Sequence, residues 1–189
     1  VNSEDIDTQG ITKITLEDVA YADVFGGAIK LVGMANKADD GVYARVCPVI
    51  LKKEHPLAGI DDVFNGILVH GNTLGNTMYY GAGAGKLPTA SAVVSDIIDC
   101  VKHIGKTVFC FWDAEKLQLS SMDDSVKRFF VRVADADFAK AQEVFGQVEV
   151  IDAGVEGEKG FFTQAMSEKD FNEKSAQVGN VLSRIRVEE

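Results

Sequence analysis

Between Tyr79 and Ala92 the chain reads Tyr-Tyr-Gly-Ala-Gly-Ala-Gly-Lys-Leu-Pro-Thr-Ala-Ser-Ala, and this run limits the fold more than any other. Three glycines alternating with alanines remove the side chains that keep a backbone away from its neighbours. Asn76 to Tyr80, before the run, has the composition of a strand. Behind it, Val93, Ile97, Cys100 and Ile104 recur at helical spacing, widened by Val94, Ile98 and Val101, with Asp96, Asp99 and His103 opposite. The run is therefore a strand-to-helix junction, with Pro88 placed as the first helical residue. So wide an apolar stripe predicts burial against a sheet and a second surface, such as another subunit. The turn itself has two readings: a close packing of strand on helix, or backbone N–H groups at a helix start offered to a cofactor. It is not a P-loop, since Tyr80 and Leu87 stand where Gly and Ser or Thr are required. Nor is it a Rossmann fingerprint, since Lys86 stands where the third glycine belongs.

Upstream, Thr15 with Asp18 marks a helix start, Leu16 and Val19 to Val24 continue it, and Gly26 with Gly27 ends it. Ala28 to Met34 and Val42 to Ile50 alternate in the manner of strands, and Asp39, Asp40 and Gly41 join them as a hairpin. After His55-Pro56-Leu57, strands at Phe64 to His70 and Asn76 to Tyr80 extend this to an antiparallel meander. The pattern weakens from Asp113 to Ser125. From Lys127 the order is strand Phe129–Val133, helix Phe138–Phe145, strand Val148–Ile151, strand Gly160–Ala165, helix Glu168–Val178 and strand Val181–Val187. That is βαββαβ, ferredoxin-like, with Ser167 and Asp170 capping the second helix and Gly179 with Asn180 closing it. The fold class is α+β: an antiparallel sheet with packed helices over 1–118, a linker at 119–126 and a ferredoxin-like domain over 127–189.

Acidic residues number 29 against 19 Lys plus Arg, a net charge of −10, which repels phosphate backbones and anionic lipid. Neither nucleic acid nor a membrane is an expected partner, and no apolar run reaches the length of a span. Cys47, Cys100 and Cys110 show no CxxC or Cys/His ligand spacing, which predicts buried reduced thiols in a cytoplasmic protein. His55, His70 and His103 lack metal-ligand spacing, so no metal site is expected. The doublets Asp39/Asp40, Asp61/Asp62 and Asp123/Asp124 read as turn formers. Phe129, Phe130, Phe161 and Phe162 read as core. No acid, base or nucleophile set is evident. The first residue is Val1 rather than Met, an expectation that an upstream part has been removed.

The run Asn65-Gly66-Ile67-Leu68-Val69-His70-Gly71, followed by Met78 through Val94 with its glycine turn, resembles the homoserine dehydrogenase family. Gly10 to Ala22, Ile29 to Gly33, His55 to Ala58 and Val63 to Asn65 agree with it in order and spacing, so the likeness covers about residues 8 to 104. The resemblance implies an oxidoreductase that reduces aspartate 4-semialdehyde to homoserine with NAD(P)H, on the route to threonine, methionine and isoleucine. It also implies a substrate-binding and dimerisation domain over 1–118, an ACT-like domain at the C-terminus and a homodimer. The family's catalytic and metal-binding residues lie upstream of the segment matching Ile11, so no catalytic residue is assigned here. By itself the chain is expected to be inactive and to hold no cofactor.

One residue is carried over: Gly85, matching the last glycine of the family's turn, is implied to contact the dinucleotide. Many relatives have arginine at the place of Ala82. The ACT likeness lies in element order, since Asp135-Ala136-Asp137-Phe138 replaces the usual glycine-containing turn. Regulation and assembly stay equally open for that part. The alternative for the whole chain is a non-catalytic amino-acid-sensing module of ACT type.

Overall fold

In β6 (Val126–Ala134) successive residues point to opposite faces, and both faces are buried. That one strand organises most of the molecule. The computed structural model describes residues 1–39, 41–111, 114 and 117–188. Before β6 come β1 (Asp7–Thr8), α1 (Leu16–Val24), β2 (Gly27–Ala38), β3 (Gly41–Lys52), β4 (Phe64–Gly71), β5 (Gly75–Ala82) and α2 (Lys86–Lys102). After it come α3 (Asp135–Phe145), β7 (Glu149–Ile151), β8 (Glu158–Phe162), β9 (Met166–Ser167), α4 (Glu168–Val178) and β10 (Val181–Glu188).

Local chemistry sets several ends. Thr15 Oγ1 accepts from the Asp18 N–H at 3.4 Å while Asp18 Oδ2 accepts from the Thr15 N–H at 2.9 Å, a reciprocal cap on α1. Ser167 accepts from the Asp170 N–H at 3.0 Å and starts α4, which Gly179 ends. The hairpin of β2 and β3 pairs continuously from Gly27 opposite Lys52 to Ala38 opposite Gly41. Asp40, expected in its turn, lies outside the described residues, as does Asp113.

One sheet runs in the order β1, β3, β10, β6, β8, β7, with β2 on β3 and β9 on β6. Its β10, β6, β8, β7 portion with α3 and α4 is the βαββαβ arrangement expected from the sequence. The α+β class therefore holds. On one face Phe129, Val131, Val133 and Phe161 pack against Ala141, Phe145, Phe171 and Val178 of the two helices. On the other, Phe130, Phe162, Ile185 and Val187 pack against Tyr21 and Ala22 of α1 and against Ile50. Each fully buried Phe contributes roughly 2 kcal/mol relative to exposure, so this double layer dominates the stability of the sheet.

The division at 119–126 read from the sequence differs from the one the contacts draw. One compact unit comprises Val1–Ala58 with Leu117–Glu189, and the other Gly59–Lys116. The reason is a long-range pairing: β10 lies parallel to β3, with Arg186, Val187 and Glu188 opposite Val49, Ile50 and Leu51. The same sheet thus holds the hairpin and the βαββαβ portion. The segment expected to be a linker is tied in as well, through the Ser120 N–H to Val42 O at 2.8 Å and a short 3-10 helix at Met122–Asp124.

The expected meander is corrected too. Strands β4 and β5 pair only with each other, Phe64 opposite Ala82 through Gly71 opposite Gly75, and form a separate two-stranded sheet. In the second unit none of the described residues is buried. Helix α2 was expected to bury its stripe; instead Val93, Ile97, Val101 and Ile104 are between 53% and 77% exposed. The stripe is real at the level of sequence, but no described side chain of that unit covers it.

Candidate functional site

The glycine turn emerges from β5 and enters α2. The Gly83 N–H donates to Val63 O at 2.9 Å, fixing the turn beside the start of β4. A Cβ on Gly83 would lie 1.7 Å from Asn65 Nδ2, so the Asn65 side chain occupies the space a larger residue would need. Gly85 is the N-cap of α2, at φ 116° and ψ 154°, a conformation that L side chains rarely adopt. A Cβ there would meet only the Pro88 ring, at 3.5 Å. The first helical backbone bond runs from the Thr89 N–H to Gly85 O at 3.1 Å, and no described residue accepts from the Gly85 N–H. The helix starts at Lys86, so Pro88 is its third residue and not its first. The position is still compatible, because N–H groups in the first turn have no partner within the helix.

From Gly81 to Leu87 every residue is exposed. The turn therefore presents backbone, an open N–H and a helix start to whatever approaches it, and both readings of its glycines find support. Gly83 makes room for a neighbour; Gly85 holds a backbone shape. This geometry can contact an anionic or flat group through main chain. It offers no acid, base or nucleophile of its own.

Other sequence candidates are dispersed. His55 Nδ1 accepts from the Leu57 N–H at 3.1 Å, His70 Nδ1 lies 2.6 Å from Asn76 Oδ1, and His103 Nδ1 lies 2.8 Å from Asp99 O. Each histidine serves local structure, and no metal-binding group of side chains occurs among the described residues. Cys47 is buried, and burial pushes its thiol up from the ordinary value. Cys100 and Cys110 are exposed, which corrects the expectation of buried thiols; they lie on the part of the chain that lacks a core. Asp61, Asp62, Asp123 and Asp124 are exposed, and Asp62 takes a positive φ of 55° in its turn. Phe129, Phe130, Phe161 and Phe162 are fully buried core residues. Among the described residues no helix is long and apolar enough to cross a membrane.

Two buried charge clusters were not anticipated. Arg132 makes a bidentate pair with Glu158, at 2.8 and 2.7 Å, and its Nη1 reaches Asp18 Oδ1 at 2.7 Å and Thr15 Oγ1 at 2.9 Å. Burial alone would lower the Arg132 value, but the hydrogen bonds of Glu158 and Asp18 outweigh it and the value rises. In the second cluster the carboxylate of Glu168, 4% exposed, binds Arg186 through both oxygens and Arg45 Nη1 at 2.5 Å. Arg45 Nε also holds Asp7 at 2.5 Å, and Arg186 Nη1 holds Gln9 at 2.9 Å. Burial would raise the Glu168 carboxyl; the hydrogen bond and charge of Arg186, with those of Arg45, hold it below its ordinary value. The sequence did carry a signal for both clusters. Arg45, Arg132 and Arg186 each interrupt an apolar strand, and a charge there must be paired to be buried.

The fold and the turn together define a class: an α+β protein with an open main-chain contact surface at a helix start and no reactive set among its described residues. Comparison with known proteins is specific. The homoserine dehydrogenase family profile matches residues 1–98. The homoserine dehydrogenase of Synechocystis is 40% identical over 149 residues, covering 72% of this chain and 34% of the relative. That of Helicobacter pylori is 39% identical over 148 residues, covering 78% and 34%. Among solved structures, a homoserine dehydrogenase from Thiobacillus denitrificans superposes with a TM-score of 0.81 at 29% identity, over 98% of this chain and 48% of that one. One from S. aureus, at pH 6.0, gives 0.72 at 28%, over 100% and 49%. The chain belongs to the homoserine dehydrogenase family. It spans about a third of the length of these curated relatives and about half of the solved chains.

Proposed function

We propose that this chain forms the substrate-binding and subunit-pairing part of a homoserine dehydrogenase, which interconverts L-aspartate 4-semialdehyde and L-homoserine with NAD(P). The observation that carries this reading is the family match over residues 1–98, which runs through the glycine turn and into α2. The nicotinamide, when bound, supplies the hydride that reaches the aldehyde carbon. The residues present fit one edge of such a group. Exposed backbone at Gly83 and Gly85, with no bulky side chain between them, lets a dinucleotide approach the main chain, and the Gly85 N–H is available to it.

On this reading the proton donor and most of the cofactor clamp belong to the remainder of the enzyme, and this chain alone does not turn over. The exposed stripe of α2 and the apolar residues of β4 and β5 receive the remaining protein or a second subunit, giving a homodimer in the cytoplasm. The βαββαβ portion acts as an ACT-like module for assembly or for sensing an amino acid. The full-length gene product is expected to oxidise NADH or NADPH only when aspartate 4-semialdehyde is added. No semialdehyde-dependent oxidation in that protein would overturn the reading.

The Gly85 contact needs a test other than substitution, because any side chain at φ 116° strains the turn whether or not a cofactor touches it. In the full-length protein the Gly85 amide resonance is expected to shift saturably on titration with the dinucleotide. A resonance that stays in place while binding is seen elsewhere removes Gly85 from the site.

A further inference from the structure

Asn65 of β4 stands opposite Gly81 of β5, and residues paired in this way project from one face of the hairpin. Its side chain does not lie over that partner, since a Cβ on Gly81 would meet nothing within 4 Å. It leans along the hairpin to the diagonal position, where a Cβ on Gly83 would fall 1.7 Å from Asn65 Nδ2 and 2.9 Å from Asn65 Cγ. Gly83 has no positive φ, so its backbone alone would admit alanine. What excludes a side chain there is the carboxamide.

That carboxamide is exposed and makes no hydrogen bond among the described residues, so its contact with the turn is one of shape. Gly83 is gripped a second time by the same stretch of chain, through its N–H to Val63 O at 2.9 Å. On the other face Phe64 stacks on Tyr80, with 4.9 Å between ring centroids and 11° between planes, which steadies this end of the hairpin. Beyond Gly83 only Ala84 intervenes before Gly85. The direction of the Gly85 N–H therefore depends on where Gly83 is held.

We propose that Asn65 is a positioning residue for the cofactor contact: seated on Gly83, its side chain sets the path of the turn and so the aim of the Gly85 N–H. This rests on the reading of the turn as a dinucleotide contact and adds to it a residue of β4 that acts through the turn. The glycine at position 83 then serves Asn65, whereas the glycine at 85 serves the backbone.

The test uses the full-length protein and the dinucleotide that the parent oxidises in the presence of aspartate 4-semialdehyde. Asn65→Ala is expected to raise the KM for that dinucleotide roughly three- to tenfold while the KM for the semialdehyde stays within about twofold. Asn65→Leu, which keeps the branched shape and loses the polar atoms, is expected to restore the parent value. Gly83→Ala pushes the carboxamide aside and should match Asn65→Ala, and the two combined should be no worse than either. In the absence of any ligand, the Gly85 amide resonance is expected to move in Asn65→Ala and to stay in place in Asn65→Leu. A parent without semialdehyde-dependent oxidation removes the oxidoreductase reading and this assignment with it. In an active parent, an unchanged dinucleotide KM or an unmoved Gly85 resonance in Asn65→Ala overturns the positioning role alone, as do additive effects of the two alanine substitutions. A loss in Asn65→Leu equal to that in Asn65→Ala overturns it too, and makes Asn65 a direct hydrogen-bonding contact.

Discussion

The two units of this chain dispose of their apolar residues in opposite ways. In the first, Phe129, Phe130, Phe161, Phe162 and Phe171 are at most 1% exposed and two helical layers cover the sheet. In the second, Ile67, Tyr79, Ile97 and Ile104 are all more than half exposed, and none of the described residues is buried. Backbone hydrogen bonds define the elements of both. Only the first adds the burial that makes such elements stable, since a lone hairpin is marginal in water and a single helix of this length little better. The lesson is that a family match can span both units while the means of stability does not. The first unit covers its own apolar faces, and the second leaves its apolar residues open among the described residues.

Hydrogen exchange gives the largest expected separation. Amides of β6 and β10 should exchange only through unfolding of the sheet, whereas those of α2, β4 and β5 should exchange through local opening. The protection factors are expected to differ by about a thousandfold or more, equivalent to roughly 4 kcal/mol. Equal protection in the two units would mean that the second has a source of burial that its exposed stripe conceals, and the comparison would break.

Glu168 tests the first unit at its least replaceable point. Glu168→Ala leaves Arg45 and Arg186 buried beside each other without their shared acceptor, and breaking a buried pair in this way costs about 3–5 kcal/mol. Chemical denaturation of the chain reads it directly. The same carboxylate sets a pH dependence. Because its folded value lies below the ordinary one of about 4.3, its contribution is fully present above that value and is lost as pH falls through the lower folded value. Stability should therefore decline on acidification below about pH 4.5, and Glu168→Gln should flatten that part of the profile. An unaltered profile would assign the acid sensitivity to other carboxylates.

Gly160→Ala probes the packing between β8 and α1. The added Cβ would stand 2.4 Å from Tyr21 Cε1 and 3.1 Å from Phe130 Cε2, with the aromatic layer leaving little room to yield. Overpacking of this kind costs typically about 1–3 kcal/mol. A neutral outcome would show that the Tyr21 ring can move, and that α1 is held less firmly than its buried face implies.

These contrasts explain which features could be read without coordinates. Local rules found the Thr15–Asp18 cap, the β2–β3 hairpin, and α4 between Ser167 and Gly179, because each is decided by residues a few positions apart. The parallel pairing of β10 with β3 was not visible, since it depends on segments far apart in the chain, and without it the division into units was drawn elsewhere. The pairing of Arg45 and Arg186 with Glu168 belongs to the same category: the charges could be seen interrupting apolar strands, but not which acid met them. For α2 the periodicity located the stripe correctly, yet periodicity reports only that a face is apolar. Whether anything covers that face is not encoded in the spacing. The glycine turn was legible as a site of close approach, while the separate roles of Gly83, beside Asn65, and Gly85, at positive φ, required the backbone.

The smallest expected effect is the most pointed for the second unit. Ile97 lies in the middle of the α2 stripe, at 57% exposure, beside Cys100 and Val101. Were it a core residue, Ile97→Ala would cost about 2–5 kcal/mol. At an exposed helical position the change should stay within about 0.5 kcal/mol, because alanine's better helix propensity offsets the little burial that is lost. Denaturation of the chain by itself should thus leave the variant indistinguishable from the parent. If the stripe is covered in the full-length protein, as the proposed function has it, the same substitution should be costly there, and a difference of about 2 kcal/mol between the two settings would measure that cover. If both settings tolerate Ile97→Ala equally, the stripe is not covered there, and the exposed apolar residues of β4 and β5 become the face to examine.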